Sequence, residues 1–347
     1  MSYVSGFAEV GLRDRPNVGG KGGSLGELQR AGIAVPPGFV VRTDAFERFL
    51  ARIEADWPVR ARISSLDAED LSAIERCCAA VRSRFEEMPL PSDLARQIEL
   101  AHAQLCGVRG MPVAVRSSAT TEDAVDASFA GLQDTYLWVK DLRQILHRVR
   151  SCWASLYSVG SVSYRRQRNM LEHAVAMAVV IQVMVDARAA GVMFTRSPTT
   201  GDRSVITIEG AWGLGSAVVG GEVTPDRWVL GKVTGDITVR EISDKHIRHA
   251  PAAGGGIETV PVPESSRRAP SLSDEELQAL RGIGRRVERH YGCPQDIEWA
   301  IDGADGEVLL LQSRPETVWA SKEAAPAASA APNPFTHVMS IFGGKDK

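Results

Sequence analysis

The sequence predicts a protein of mixed helices and strands, an expectation that three stretches carry, and its 347 residues suggest two or three structural units. Asp296-Ile297-Glu298-Trp299 and the run from Val308 to Thr317 alternate apolar and polar residues on either side of Asp302-Gly303-Ala304-Asp305-Gly306, which reads as an antiparallel hairpin. Ala174 to Val185 is apolar except for Gln182, too short to span a bilayer, and reads as a strand buried on both faces. Ser273 to Gly292 reads as a helix with both ends signed. Ser273 and Glu276 form a capping box, Leu272 and Leu277 a hydrophobic staple, and Gly292-Cys293-Pro294 a stop. Leu277, Leu280, Ile283, Val287 and Tyr291 give that helix one apolar side.

The other elements follow in chain order. Gly19-Gly20-Lys21-Gly22-Gly23 reads as a glycine loop before a helix from Ser24 to Ala31, stopped by Gly32. Pro36-Pro37-Gly38 is a turn, Phe39-Val40-Val41 a short strand, and Thr43 the cap of a helix to about Ile53. Helical periodicity runs from about 68 to 105 with a break at Pro89-Leu90-Pro91. Val113 to Arg116 and Tyr136 to Val139 read as strands, 141–159 as helix, and Arg227 to Val239 as two strands turning at Thr234-Gly235-Asp236. Segment 250–270, rich in Pro, Gly and Ala, reads as an exposed loop, and the Ala/Pro/Ser-rich 320–347 as a linker with a short apolar tail.

Composition removes several classes of function. Lys+Arg 40 against Asp+Glu 43 gives a formal charge of −3, so no overall basic field recruits nucleic acid. The 5 cysteines form no C-x-x-C pair and no metal spacing, and their odd number fits reduced thiols in a cytoplasmic protein. The N-terminus shows no signal pattern, and no partnership with a membrane is expected.

The residues with chemical potential are local. In the hairpin, strict alternation puts Val308, Leu310, Gln312 and Arg314 on one face, with Leu309 and Leu311 on the other; a turn centred on Ala304 or Asp305 then sets Glu298 across from Gln312. A carboxylate and an amide carbonyl are hard oxygen ligands suited to Mg²⁺, and Arg314 adds a forked cation for phosphate oxygens. An edge hairpin with three solvated polar side chains explains the same letters. Lys21 among glycines suits phosphate, although Gly22 stands where a P-loop needs Ser or Thr, and a flexible surface loop would look the same. Arg116 ends an apolar strand where the hydroxyl-rich Ser117 to Thr121 begins, which fits a phosphate clamp or a structural ion pair. Gly131 to Thr135 reads as a loop over a ligand's phosphates or an ordinary turn, and Gln182-Val183-Met184 as a strand end offered to a purine ring or simply as core.

Seven motifs occur together in one order: Gly19-Gly20-Lys21-Gly22, Val115-Arg116-Ser117-Ser118-Ala119-Thr120, Ser128-Phe129-Ala130-Gly131, Gly213-Leu214-Gly215, Thr224-Pro225-Asp226, Asp296-Ile297-Glu298-Trp299 and Gln312-Ser313-Arg314-Pro315-Glu316-Thr317. Over roughly residues 5–319 the chain resembles the N-terminal ATP-binding domain of the phosphoenolpyruvate synthase, pyruvate phosphate dikinase and rifampin phosphotransferase family. The resemblance implies an α+β ATP-grasp fold, with lobes at 1–185 and 186–319 clamping ATP. It implies phosphate clamps at Lys21, Arg116 and Arg314 and a phosphate-covering loop with Gly131 and Thr135. It further implies an adenine hinge at Gln182 and Met184 and Mg²⁺ ligands at Glu298 and Gln312. Ser216 departs from the pattern, standing where Glu usually follows Gly-Leu-Gly, and Leu132 stands where a polar residue is frequent.

Members of this family pass a phosphoryl group, typically the β-phosphoryl of ATP, to a histidine in a Thr-x-Gly-Gly-x-Thr/Ser-x-His context. None of His102, His147, His173, His246, His249, His290 or His337 has that context. The expectation is an ATP-binding phosphotransferase subunit whose partner carries the phosphohistidine domain and the acceptor site, similar in architecture to the ATP-binding subunit of phenylphosphate synthase. A self-contained small-molecule kinase and a non-catalytic nucleotide-sensing regulator are the alternatives.

Overall fold

A computed structural model of the chain describes residues 2–107, 111–120, 123–124, 127–128, 134–317 and 319. Through residue 183 the order is Val4–Gly6 (β1), Arg15–Arg30 (α1), Gly38–Val41 (β2), Thr43–Glu54 (α2), Val59–Ser64 (α3), Leu71–Glu87 (α4), Ser92–Cys106 (α5), Val113–Ala119 (β3), the short pair Asp123–Ala124 (β4) and Ala127–Ser128 (β5), Thr135–Val139 (β6), Leu142–Ser155 (α6), Val159–Gln167 (α7) and Met177–Val183 (β7). Then come Ala187–Phe194 (β8), Val205–Trp212 (β9), Ser216–Val219 (α8), Asp226–Gly231 (β10), Ile237–Glu241 (β11), Ile247–Pro251 (β12), Ile257–Pro261 (β13), Glu264–Arg267 (α9), Asp274–Tyr291 (α10), Gln295–Asp302 (β14) and Val308–Pro315 (β15).

Two antiparallel sheets organise the molecule. One has the order β1-β2-β7-β3-β6 and the other β11-β10-β9-β8-β14-β15, with β12 and β13 as a separate hairpin. On β7, Val179 and Ile181 join the large core under α2, α4 and α6, whereas Ala178 and Val180 join a smaller core under α1. The strand is therefore buried on both faces, as its unbroken apolar run predicts. Phe46, Phe49, Phe85 and Trp153 stack in that large core with centroids 5.2–6.4 Å apart, each ring stabilising the fold by about 1.5–3 kcal/mol through burial. The second sheet buries Trp228, Trp299, Ile297 and Leu310 against Leu277, Leu280 and Val287 of α10. Ser273 caps α10 with the expected reciprocal bonds to Glu276, and Gly292 ends it at φ +71°. Two helix-backed sheets with a cleft between them are what an α+β ATP-grasp fold requires.

Three sequence expectations are corrected. The glycines at 20–23 are helical, not a loop: α1 begins at Arg15 and is kinked at Gly19, whose φ of +71° is not helical. A Cβ on Gly19 would lie 2.1 Å from the Ser118 carbonyl, and one on Gly26 2.2 Å from that of Val10. These glycines let the helix press onto its neighbours, a packing demand that local sequence shares with a flexible loop. Thr43 is the first helical residue of α2 and bonds Pro16 O at 3.0 Å, leaving Arg42 at the cap position. Segment 250–270 contains β13, α9 and the end of β12 rather than one loop. Their pairing, His249 opposite Thr259 and Ala250 opposite Glu258, has no apolar alternation to reveal it. The expected tail at 320–347 lies outside the described residues. Among the described residues no helix is long and apolar enough to cross a membrane.

Candidate functional site

The hairpin β14–β15 forms in the expected register, with Glu298 paired to Gln312 and Asp296 to Arg314. It does so through a one-residue bulge between Glu298 and Trp299 that strict alternation misses. Val308 and Leu310 pair with Ile301 and Trp299 and point into the core, whereas Gln312 and Arg314 pair with residues on the opposite face. The expectation that Val308, Leu310, Gln312 and Arg314 share a face is thus wrong. The extra residue, Leu311, switches the face midway, so the apolar end closes the core while Gln312 and Arg314 turn to the other face, beside Glu298 and Asp296.

Arg116 meets this hairpin from the other sheet. Its Nη2 donates to Glu298 Oε2 at 3.0 Å and to Gln312 Oε1 at 2.7 Å. Its Nη1 donates to Leu311 O at 2.8 Å and reaches Gln182 Oε1 at 3.4 Å. A guanidinium spreads several donors in one plane, which suits one residue to these divergent acceptors. The site therefore holds a cation between a carboxylate and an amide oxygen. Those two groups fit Mg²⁺, which takes few protein oxygens and completes its shell with water and phosphate. Among the described residues no three His, Cys, Asp or Glu side chains converge as a metal site.

A cleft of about 610 Å³ lies between the sheets and is lined by Arg116, Thr135, Gln182, Met184 and Glu298 among others. The structure thus brings five of the expected residues together, and Gln312 joins them through Arg116. Thr135 sits on β6 opposite Arg116 in the strand register. Gln182 is buried, with Nε2 donating to Pro36 O at 3.3 Å. The Met184 N–H is bonded to Pro112 O at 2.9 Å, so it presents its side chain and carbonyl rather than its N–H to a ring. Lys21 and Arg314 are not among the lining residues. Lys21 lies on α1, where its positive charge reaches the buried Cys152 thiol. Gly131 lies outside the described residues.

Arg314 rests against Asp296, Nε to Oδ2 at 3.4 Å. Burial pushes the Asp296 carboxyl up to about 6; Arg314 pulls it back, and nearby Glu316 adds to the rise. Arg314 is about half exposed and Asp296 largely buried, so the arginine is the partner with room to move.

Sequence reasoning missed another polar group on the cleft wall. Ser216, Glu222 and His249 line the same cavity and are joined by hydrogen bonds. Ser216 stood out in the sequence only as a departure from a pattern, and His249 bordered a segment read as loop.

Comparison with known proteins places these residues in context. The model of the pyruvate phosphate dikinase AMP/ATP-binding domain matches residues 15–333. A probable phosphoenolpyruvate synthase of Methanothermobacter thermautotrophicus is 42% identical over 320 residues, which is 91% of this chain and 46% of that protein. A rifampicin phosphotransferase of a Streptomyces species is 43% identical over 320 residues, 90% of this chain and 36% of that one. The chain spans less than half the length of both relatives. Among solved structures, D-alanyl-alanine synthetase A of Vibrio cholerae aligns with 83% of this chain and 52% of its own at 10% identity and a TM-score of 0.28, a likeness too slight to bear on the site.

Proposed function

The chain belongs to the pyruvate phosphate dikinase AMP/ATP-binding family, and on that premise we propose that it binds Mg·ATP in the cleft and passes the β-phosphoryl group to a histidine on a partner subunit. One observation carries the reading: the Arg116 guanidinium lies against Glu298 and Gln312 at the junction of the two sheets. A cation that lines the cleft, bonded to two hard oxygen donors, supplies the groups that a metal-bound polyphosphate needs.

In this reading Gln182 and Met184 receive the base, and Thr135 with Gly131 covers the phosphates. Lys21, Arg116 and Arg314 neutralise the phosphate oxygens, Arg314 by leaving Asp296. Glu298 and Gln312 would hold Mg²⁺, which when bound offsets charge on the phosphates. The partner histidine attacks the β-phosphorus in line and AMP departs as the α–β bridging bond breaks; water then cleaves the γ-phosphoryl group as phosphate, leaving the β-phosphoryl group on the histidine. Positioning and electrostatics supply most of the rate, as in other phosphoryl transfers. We place the lobe boundary near residue 185, between β7 and β8. The acceptor would be chosen by the partner, as in phosphoenolpyruvate synthase or phenylphosphate synthase.

The test is ³¹P NMR of the purified protein with Mg·ATP, before and after adding a clarified, desalted fraction from the source cells, with Glu298→Ala as control. AMP and phosphate that form only with the fraction, and not with the variant, are expected. Steady ADP release by the pure protein would overturn the partner reading in favour of a free-standing kinase.

A further inference from the structure

The cleft contains a hydrogen-bonded chain for which the reading above has no use. Ser216 Oγ lies 2.8 Å from His249 Nδ1, and His249 Nε2 lies 3.2 Å from Glu222 Oε2. A carboxylate only accepts, so Nε2 carries the imidazole proton and donates it to Glu222. In the neutral ring Nδ1 is then an acceptor, and the Ser216 hydroxyl donates to it. The order is hydroxyl, base and carboxylate, the arrangement in which a histidine takes a proton from an attacking serine.

The backbone holds the three in place. Leu214 N–H donates to His249 O at 3.0 Å, and Glu222 N–H to Ala217 O at 3.0 Å. Gly213 has φ +77°, and a Cβ there would fall 2.4 Å from His249 O, so β12 lies directly against this turn. Gly215 abuts Gly191, which pairs with Trp299 beside Glu298. Ser216 is half-buried and faces the cleft, His249 is 7% exposed, and Glu222 is half exposed at the rim.

We propose that Ser216 is a phosphoryl acceptor inside the nucleotide cleft, with His249 as its general base and Glu222 as a positioning residue that orients the imidazole. The proposal rests on ATP occupying this cleft. Ser216 Oγ bonds to the γ-phosphorus, the bond from that phosphorus to the β–γ bridging oxygen breaks, and ADP departs. The hydroxyl proton passes to His249 Nδ1. The product is a phosphoserine in the cleft, which adds about two negative charges close to where the next nucleotide's phosphates would lie and so lowers affinity for ATP.

The experiment incubates the full chain with Mg·ATP, titrates ATP affinity by calorimetry, and maps phosphate by peptide mass spectrometry. Phosphate on Ser216, absent in Ser216→Ala, is the expected result. His249→Gln should slow its appearance by about 10²–10⁴-fold. Glu222→Gln should also slow it, and Glu222→Asp should restore it, which a merely structural tie between α8 and β12 would not do. ATP binding without phosphate on Ser216 would overturn this proposal and leave the nucleotide reading intact. A wild-type chain that does not bind ATP would overturn both.

Discussion

Arg116 Nη2 and Glu298 Oε2 are 3.0 Å apart, an ion pair that joins the two sheets across the cleft. The arginine is 9% exposed and the glutamate 32%, so removing the cation strands a carboxylate with limited access to water. Arg116→Ala should lower stability by about 2–3 kcal/mol, below the range for a fully buried pair because Glu298 is partly solvated. Arg116→Lys should recover little, since an ammonium cannot reach Glu298, Gln312 and Leu311 O together. Urea unfolding measures both, and an unchanged midpoint for Arg116→Ala would show that the pair is incidental.

Two glycine-to-alanine changes should have opposite signs. Gly19 combines a positive φ with a would-be Cβ 2.1 Å from Ser118 O, whereas Gly282 in α10 has nothing within 4 Å. Gly19→Ala should destabilise by about 3 kcal/mol or more, because α1 must lift from β3. Gly282→Ala should stabilise by about 0.5–1 kcal/mol through helix propensity alone. Thermal unfolding of the pair checks this, and a neutral Gly19→Ala would mean that the bend in α1 is soft.

Asp296 makes stability depend on pH. Its carboxyl is raised from an ordinary 3.8 to about 6 in the folded protein, burial being the largest cause. The folded state therefore binds this proton more tightly than the unfolded chain, and the stabilisation, full below the unfolded value, is lost as pH rises through about 6. Asp296→Asn should raise stability at about pH 8 by at most about 3 kcal/mol, with the gain vanishing near pH 4. Unfolding free energies of wild type and variant across that range decide it, and parallel curves would refute the assignment.

Asp226 and Lys245 form a wholly buried pair, Oδ1 to Nζ at 2.6 Å, each side chain 0% exposed. Asp226 Oδ2 also accepts from Ser271 N and Oγ, so one carboxylate ties β10 to the segments before β12 and α10. Asp226→Ala should cost about 3–5 kcal/mol, the penalty of leaving an ammonium buried and unpaired. Asp226→Ala with Lys245→Met should recover much of the loss. A double variant no more stable than Asp226→Ala would contradict that account.

Much of the hairpin was legible because its information is local. The turn-forming run at 302–306 and alternation on both sides put Glu298 opposite Gln312. The helix 274–291 was legible for the same reason, since caps and apolar spacing lie within one stretch. The bulge at Leu311 was not, because whether an extra residue sits inside a ladder depends on which side chains the core beneath can accept. Nor was the role of the glycines at 19–26, whose reason lies in Ser118 and Val10 on other elements.

The sequence by itself determined the residue types and order of the motifs, hence the family and the α+β class, since these depend on identity and short-range periodicity. Only the tertiary structure decided that Arg116 rests on Glu298 and Gln312, that Arg314 rests on Asp296, and that Ser216, His249 and Glu222 meet. Glu298 lies 182 positions from Arg116 in the chain, and which charges become neighbours across such a distance is settled by how two sheets pack, a cooperative outcome that local sequence does not encode.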